Sequence, residues 1–177
     1  KKEIIQKLTH IYGKNILFIA GDDLQRPLKS IDFLEKIEVK KKYPNTIIIK
    51  VYETKPIAIL FKKNHKYLLD SSSNLIDLSE YMFNDDLPSI FGERAEQYFI
   101  NFYNQLEINN FPKQRIKNFY YFQIGRWDLQ LLNNQTIKFP ANKIADAIQQ
   151  SVELLARKDF GSYNIIDLRI HGKIVVE

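Results

Sequence analysis

The side chains best suited to chemistry in this sequence are its histidines and its paired aspartates, and their spacing does not predict a catalytic or metal site. The histidines are His10, His65 and His171. None has a second histidine four residues away, the spacing that brings two ligands to one helix face. Asp22–Asp23 and Asp85–Asp86 fit helix capping and loop solvation better than a metal site or an acid–base pair. We therefore expect all three histidines at the surface.

The remaining residue types do not support covalent catalysis. The sequence contains no cysteine, which excludes disulfides, cysteine-bound zinc and thiol catalysis. Ser71–Ser73 lacks the Gly-x-Ser-x-Gly turn that exposes a nucleophilic serine. Because no nucleophile, base and orienting group can be combined, we predict a non-enzymatic protein without a cofactor.

Asp167 and Arg169 suggest binding rather than catalysis. Residues two apart in a strand share a face, so these side chains can form a structural ion pair. The guanidinium can also hold a carboxylate of a partner through two parallel hydrogen bonds. The two interpretations are compatible.

Two further clusters each allow a functional and a structural interpretation. Trp127 with the aromatic run 119–122 resembles a base-stacking platform, but alternating aromatics in a half-buried sheet are more often core residues. The basic run comprises Lys36, Lys40, Lys41 and Lys42. Lysines on an edge strand commonly discourage aggregation, and contact with anionic lipid headgroups is the alternative.

Composition indicates a folded protein of one or two domains. The chain has 177 residues, 45% of them hydrophobic, and a net charge of +5 from 26 basic and 21 acidic residues. Because acidic and basic residues are mixed, the net charge gives little support for nucleic-acid binding. No apolar run approaches the ~20 residues of a membrane-spanning helix, and residues 1–20 do not resemble a signal peptide.

The first 55 residues predict two helices followed by a β-hairpin. Apolar spacing predicts a helix over 2–12, an extended piece over 16–20, and a second helix that carries Pro27 in its first turn and Leu34 on its apolar stripe. Strands are predicted over 36–43 and 46–54, joined by a Pro–Asn turn. We place a domain boundary near residue 55.

The rest of the chain predicts an α+β domain. Its predicted strands are 57–62, 66–70, 117–125, 127–133, 136–139, 163–169 and 173–177. The segment 87–92 is predicted as a loop, and helices are predicted over 93–107 and 142–157. His171–Gly172 is predicted as a tight turn between the last two strands.

Three groups of residues, in order along the chain, resemble the FtsQ/DivIB family of bacterial cell division proteins. The first group is Tyr43-Pro44-Asn45-Thr46-Ile47, continued by Ile49, Val51, Glu53, Pro56, Ile57 and Ala58. The second is Trp127-Asp128-Leu129 with Leu131, Asn133-Asn134, Lys138 and Pro140. The third is Ile166-Asp167-Leu168-Arg169 with Gly172 and Val175. The resemblance covers essentially the whole chain.

The resemblance implies a single-pass protein of the bacterial inner membrane whose extracytoplasmic part has two domains. Residues 1–55 are expected to form a POTRA (polypeptide-transport-associated) domain, α+β, truncated so that its first strand is missing. Residues 56–177 are expected to form the β-domain, with an antiparallel-rich mixed sheet and two helices. A removed transmembrane helix is expected upstream of Lys1, with this fragment on the periplasmic side at the division septum.

The family also implies partners. FtsB adds a strand near the C-terminal strand of the β-domain and links the protein to FtsL, and FtsK, FtsW and FtsI are further division partners. The residues carried over for this binding site are Arg169, Ile170, His171, Gly172, Lys173, Ile174 and Val175, with Arg126 as a second arginine. The family alignment beside Trp127 fits equally well with a shift of one residue, and such a shift reverses the face of Arg126 in a strand. Ile170 stands where many members have an aromatic anchor.

Two other functions stay open from the sequence. A POTRA-containing export or assembly factor would bind extended polypeptides promiscuously through the POTRA edge. A nucleic-acid-binding domain would lose affinity steeply with salt.

Overall fold

The computed structural model describes residues 2–31, 34–78 and 86–177. Contacts within the chain divide it into two compact units, Lys1–Lys55 and Pro56–Glu177. Asp85, from the second aspartate pair, lies outside the described residues.

The N-terminal unit packs two short α-helices on a two-stranded antiparallel sheet. Its elements are α1 (Lys2–Lys7), 3-10 turns at Thr9–Ile11 and Ile16–Phe18, α2 (Gly21–Leu28), β1 (Leu34–Lys42) and β2 (Thr46–Glu53). The core residues are Leu8, Ile19, Leu24, Leu28 and Ile31, against which Ile37, Val39, Ile47 and Ile49 pack. The predicted two helices and hairpin are confirmed.

The predicted extended piece 16–20 is wrong at its start, because Ile16–Phe18 is a 3-10 turn. The Asn15 side chain accepts a hydrogen bond from the Leu17 backbone N–H at 3.0 Å, which closes the turn. The Lys41 ammonium donates to the Ile16 carbonyl at 3.1 Å and supports it from the sheet. The first helix is also shorter than predicted, ending at Lys7.

The prediction for Pro27 is wrong as well. The helix α2 starts at Gly21, so Pro27 lies one residue before its end instead of in its first turn. The early start is stabilised by Asp23, whose carboxylate accepts the Ala20 N–H at 2.9 Å. A proline at this position cannot donate the usual helical hydrogen bond to the Asp23 carbonyl, which instead lies 3.1 Å from His10 Nε2. Leu34 belongs to β1 and not to a helical stripe.

The C-terminal unit is built on a mixed sheet. Its strands are β3 (Pro56–Lys62), β4 (His65–Asp70), β5 (Leu75–Asp77), β6 (Ser89–Phe91), β7 (Ile116–Phe122), β8 (Arg126–Leu131), β9 (Thr136–Lys138), β10 (Ile165–Asp167) and β11 (Val175–Val176), and its α-helices are α3 (Ala95–Ile108) and α4 (Ile144–Ala156). The described strands pair in the order β11-β10-β9-β8-β7-β6-β3-β4-β5. Three pairs are parallel (β3–β6, β6–β7 and β9–β10), and the others are antiparallel. The predicted antiparallel-rich α+β fold is confirmed.

The loop predicted over 87–92 is wrong, because Ser89–Phe91 forms β6 in the middle of the sheet. A strand of three residues is too short to show the alternation on which the sequence analysis depends. Its parallel pairing with both neighbours buries Ile90 completely. The last two strands are also shorter than predicted, at 165–167 and 175–176.

Helices α3 and α4 supply the core on one face of this sheet. Phe102 of α3 stacks on Trp127 with ring centroids 5.0 Å apart, and Phe99 meets Phe119 edge to face at 5.0 Å. Ile148 of α4 is fully buried in the same cluster. The opposite face carries the alternate residues of each strand. In the described part of the chain, no helix has both the length and the apolar character that a bilayer crossing requires.

Candidate functional site

The candidate site is the edge of the sheet formed by β11. Glu177 donates to the Ile165 carbonyl at 3.1 Å and accepts the Ile165 N–H at 3.1 Å. Hydrogen-bonded and non-bonded residue pairs alternate in an antiparallel ladder. Val176, which lies opposite Ile166 between two such bonded pairs, therefore turns its own N–H and C=O away from the sheet. This side of β11 faces no other strand among the described residues.

Side chains on either side of this edge differ in character. Val176 packs against the core on the helix-covered face. Val175 lies opposite Asp167 on the other face and is 47% exposed. Ile174 is also exposed. A strand added here would meet apolar side chains on both faces of the edge.

The segment before β11 is a tight turn, as predicted. Gly172 has φ +73°, a conformation that glycine adopts without cost, and the Lys173 N–H donates to the Ile170 carbonyl at 3.0 Å. Ile170 projects into solvent with 58% of its surface exposed. His171 and Lys173 are exposed as well. Ile170 is therefore accessible as an aliphatic contact next to the edge.

Arg169 is held by Asp167. Its Nε donates to both carboxylate oxygens at 2.8 Å, its Nη2 donates to Oδ2, and its backbone N–H donates to Oδ1 at 3.0 Å. The Arg169 bonds hold the pKa of the Asp167 carboxyl below its ordinary value, and Asp167 raises the pKa of the guanidinium. A guanidinium has five N–H donors, so the Nη1 group and one Nη2 hydrogen are left for another acceptor. The Arg169 side chain is 42% exposed.

Arg126 lies on the same face and at the same end of the sheet as Arg169. The register pairs Asp128 with Lys138 and Lys138 with Asp167. Extended by two residues, past the ends of β9 and β10, it aligns Arg126, Pro140 and Arg169 at a spacing of about 10 Å between the two arginine backbones. In this strand Arg126 shares a face with Asp128 and not with Trp127.

A row of alternating charges runs behind the two arginines. Asp128, Lys138 and Asp167 lie side by side on β8, β9 and β10. Asp128 is only 6% exposed, and its Oδ1 lies 3.3 Å from the Arg126 Nε without hydrogen-bond geometry. Burial raises the pKa of the Asp128 carboxyl, and Arg126, Lys138 and Arg169 oppose that rise. The charged row was missed in the sequence, because its members are brought together only by strand register.

A groove of about 630 Å³ lies between α4 and the turn that contains His171 and Gly172. Arg169, His171 and Gly172 form one wall. Asp146 and Glu153 are part of the α4 wall. The groove therefore lies beside the turn that precedes β11.

The other residues singled out in the sequence have structural roles. His10 Nε2 lies 3.1 Å from the Asp23 carbonyl oxygen. Trp127 is 3% exposed in the aromatic core and is not a surface platform. Within residues 2–31, 34–78 and 86–177, no cluster of three His, Asp or Glu side chains forms a metal site.

Comparison with known families gives two matches that together span almost the whole sequence. Residues 58–169 match the family described as cell division protein FtsQ/DivIB, C-terminal. Residues 1–54 match the POTRA domain of FtsQ type. The first match ends at Arg169, so the turn and β11 lie beyond it.

Individual relatives agree with these families. The chain is 30% identical over 179 residues to the cell division protein FtsQ of Rickettsia conorii, covering 98% of this chain and 66% of the relative. It is 26% identical over 183 residues to FtsQ of Rhizobium meliloti, covering 99% of this chain and 57% of the relative. The chain thus spans less than two thirds of these relatives. Among solved structures, the major extracytoplasmic domain of the cell division protein DivIB from Geobacillus stearothermophilus aligns with a TM-score of 0.40 and 12% identity, covering 61% of this chain and 96% of that one.

Proposed function

This chain belongs to the FtsQ/DivIB family of cell division proteins, and we propose that it is the extracytoplasmic part of a membrane-anchored divisome scaffold that binds FtsB by strand addition at β11. Through FtsB it connects to FtsL, and its POTRA domain contributes to binding FtsK, FtsW or FtsI. The protein is anchored in the inner membrane at the septum and helps to recruit septal cell-wall synthesis.

The observation that carries this proposal is the outward backbone of β11. Val176 presents an N–H and a C=O to the free side, and the ladder alternation gives Ile174 the same direction. An extended segment of a partner satisfies these groups by β-augmentation, while its alternate side chains provide specificity. The other side of β11 pairs with β10, and Glu177 and Ile165 exchange hydrogen bonds there.

The two arginines give this edge a preference for an acidic partner segment. Arg169 keeps three N–H donors beyond those that point at Asp167, and Arg126 lies on the same face. A carboxylate on the added strand can accept two parallel bonds from the Nη1–Nη2 end of Arg169. Ile170 and Val175, both exposed, supply the apolar contacts beside it. Asp167 therefore orients Arg169 for the partner, so the two interpretations of the pair apply together.

Backbone methylation of the partner peptide tests strand addition without altering the protein. A synthetic peptide of FtsB from the same organism is titrated against the 177-residue chain, with one backbone nitrogen methylated at a time. Strand addition predicts a period of two, because only every second N–H of the added strand points at β11. A profile without alternation, or uniform tolerance of methylation, contradicts the proposal.

Charge reversal at Arg169 tests the contribution of this side chain to peptide affinity. Arg169→Glu is expected to lower peptide affinity by at least tenfold, since a charge-assisted hydrogen bond contributes about 1.5–3 kcal/mol. Arg157→Glu is the matched control, because Arg157 pairs with Asp159 in the same two-residue spacing at the far end of α4. Equal affinity of the two variants would remove Arg169 from the site, provided that both circular dichroism spectra match the wild type. Equally tight binding of unrelated extended peptides would instead favour a general polypeptide-binding factor.

A further inference from the structure

The positive charge of this chain is concentrated in the N-terminal unit. Residues 1–55 contain twelve Lys and Arg against seven Asp and Glu, whereas residues 56–177 contain fourteen of each. The whole net charge of +5 therefore belongs to the N-terminal unit. A compositional preference for lysine across the whole chain does not explain this asymmetry.

Strand register gathers much of this charge on one face of the hairpin. Lys36 lies opposite Tyr52, Glu38 opposite Lys50, Lys40 opposite Ile48, and Lys42 opposite Thr46. These eight residues point away from the core, which takes the alternate positions of both strands. We call them the cationic face. It carries four lysines and one glutamate.

The single glutamate of this face is already engaged. Glu38 lies 2.7 Å from the Lys36 ammonium and accepts a hydrogen bond from the Tyr52 hydroxyl at 3.3 Å. For the remaining lysines, Lys40, Lys42 and Lys50, no described acidic side chain lies within ion-pair distance. The cationic face therefore has an uncompensated charge of three lysines.

The spacing of the charges and the apolar residues of this face fit a bilayer surface. Lys40 and Lys42 are two residues apart in β1, about 7 Å, and Lys50 is on the neighbouring strand, so the three charges lie close together on one face. The lysine ammonium is a compact charge without the planar fork that arginine uses for bidentate recognition. Tyr52 and Ile48 are exposed on the face, and Tyr43 is 60% exposed at the hairpin turn. Tyrosine is enriched at the level of lipid headgroups.

From this arrangement we infer that the cationic face docks on anionic phospholipid headgroups. This inference rests on the proposed function, which places the N-terminal unit beside the inner membrane. The interaction would limit the orientations of the N-terminal unit and hold its hairpin at the membrane surface. Its attraction is long-range and electrostatic, and it weakens when salt screens the charges.

Vesicle binding by the 177-residue chain tests this inference. Cosedimentation is measured with vesicles of phosphatidylglycerol and phosphatidylcholine, and with vesicles of phosphatidylcholine alone, at about 0.1 M and about 1 M salt. We expect binding only to the anionic vesicles and only at the lower salt. Failure to bind anionic vesicles at the lower salt overturns the inference, as does equal binding to both kinds of vesicle.

Two triple variants with the same net charge test whether position matters. The face variant is Lys40→Gln, Lys42→Gln and Lys50→Gln. The control variant is Lys14→Gln, Lys29→Gln and Lys55→Gln, three exposed lysines of the same unit that lie outside the hairpin strands. We expect the face variant to bind anionic vesicles roughly a hundredfold more weakly, from about 1 kcal/mol for each lysine near the surface. A similar loss in both variants would overturn the inference in favour of nonspecific attraction by net charge.

A parallel titration separates this inference from the proposed function. Both triple variants are expected to bind the FtsB peptide as the wild type does, because all the changed residues lie outside the C-terminal unit. Loss of peptide affinity in the face variant would overturn the lipid assignment in favour of a protein-binding hairpin. Loss of vesicle binding with intact peptide affinity supports it. Circular dichroism of the variants confirms that these exposed substitutions leave the fold unchanged.

Discussion

A double-mutant cycle can separate two contributions of the Arg169–Asp167 pair, one to the stability of the fold and one to partner binding. The variants are Arg169→Ala, Asp167→Asn and the two together. The pair has good geometry but is partly open to solvent, with side-chain exposures of 42% and 16%. Exposed ion pairs contribute about 0.2–1 kcal/mol, and the partly buried carboxylate places this pair near the upper end of that range. We therefore expect a coupling energy of about 1 kcal/mol in the free energy of unfolding.

The pH dependence of that coupling follows from Asp167. Its pKa is lowered in the folded protein by the Arg169 hydrogen bonds. The stabilisation is therefore present above the unfolded carboxyl pKa of about 4 and is lost as the pH falls through the lower folded value. The stability difference between the wild type and Arg169→Ala should be constant from about pH 5 to 7 and should shrink below about pH 4.

The three variants of this cycle should affect peptide affinity differently from the way they affect stability. Arg169→Ala removes the donors that face the partner and is expected to weaken FtsB peptide binding by about 10- to 100-fold. Asp167→Asn keeps those donors and loses only their orientation, so its loss should be smaller. The double variant should match Arg169→Ala alone. If Arg169→Ala lowers stability but leaves affinity unchanged in calorimetric titration, the arginine is purely structural and the reasoning about recognition fails.

Three further predictions concern the scaffold that supports this edge. Gly92→Ala should destabilise the protein by about 3 kcal/mol or more in chemical denaturation, because φ is +125° and the new Cβ would overlap the Tyr121 carbonyl. The control Gly161→Ala has open space around the new Cβ and should change the stability by less than about 0.5 kcal/mol. Phe102→Ala should cost about 3–5 kcal/mol, since the ring is 3% exposed and stacks in the aromatic core. Burial raises the folded pKa of Asp128, so the contribution of this group to stability falls as the pH rises from about 4. Asp128→Asn removes that contribution, and the melting temperature of the variant relative to the wild type should increase over that range.

Elements with a long periodic pattern were predictable from the sequence because local chemistry determines them. The hairpin of β1 and β2 has β-branched runs on both sides of a Pro–Asn turn, and its register follows from that turn. The stripe of Ala95, Tyr98, Phe99, Phe102 and Leu106 predicted α3. Four of these side chains are buried, and Tyr98 is 46% exposed. In these segments the sequence pattern and the tertiary packing agree.

Features that depend on non-local pairing could not be predicted. The strand β6 has three residues, and only its two parallel neighbours make it a strand. The row of Asp128, Lys138 and Asp167 spans forty residues of sequence and exists only because β9 pairs with both β8 and β10. The predicted strand began at residue 127, and the pairing of Arg126 with Phe122 at the end of β7 shows that β8 begins one residue earlier.

The charged row explains how two arginines can lie beside a free strand edge without making it a general acceptor of acidic chains. Asp128 and Asp167 compensate Arg126 and Arg169, and the C-terminal unit as a whole has equal numbers of acidic and basic residues. Long-range attraction is thereby reduced, while a guanidinium already held in place loses less conformational entropy on binding. In the proposed binding mode, recognition at β11 depends on short-range geometry: a carboxylate must reach Arg169 while the backbone of the same segment pairs with Val176. An acidic residue in the wrong register satisfies one condition and not the other, because a shift of one residue turns it to the opposite face.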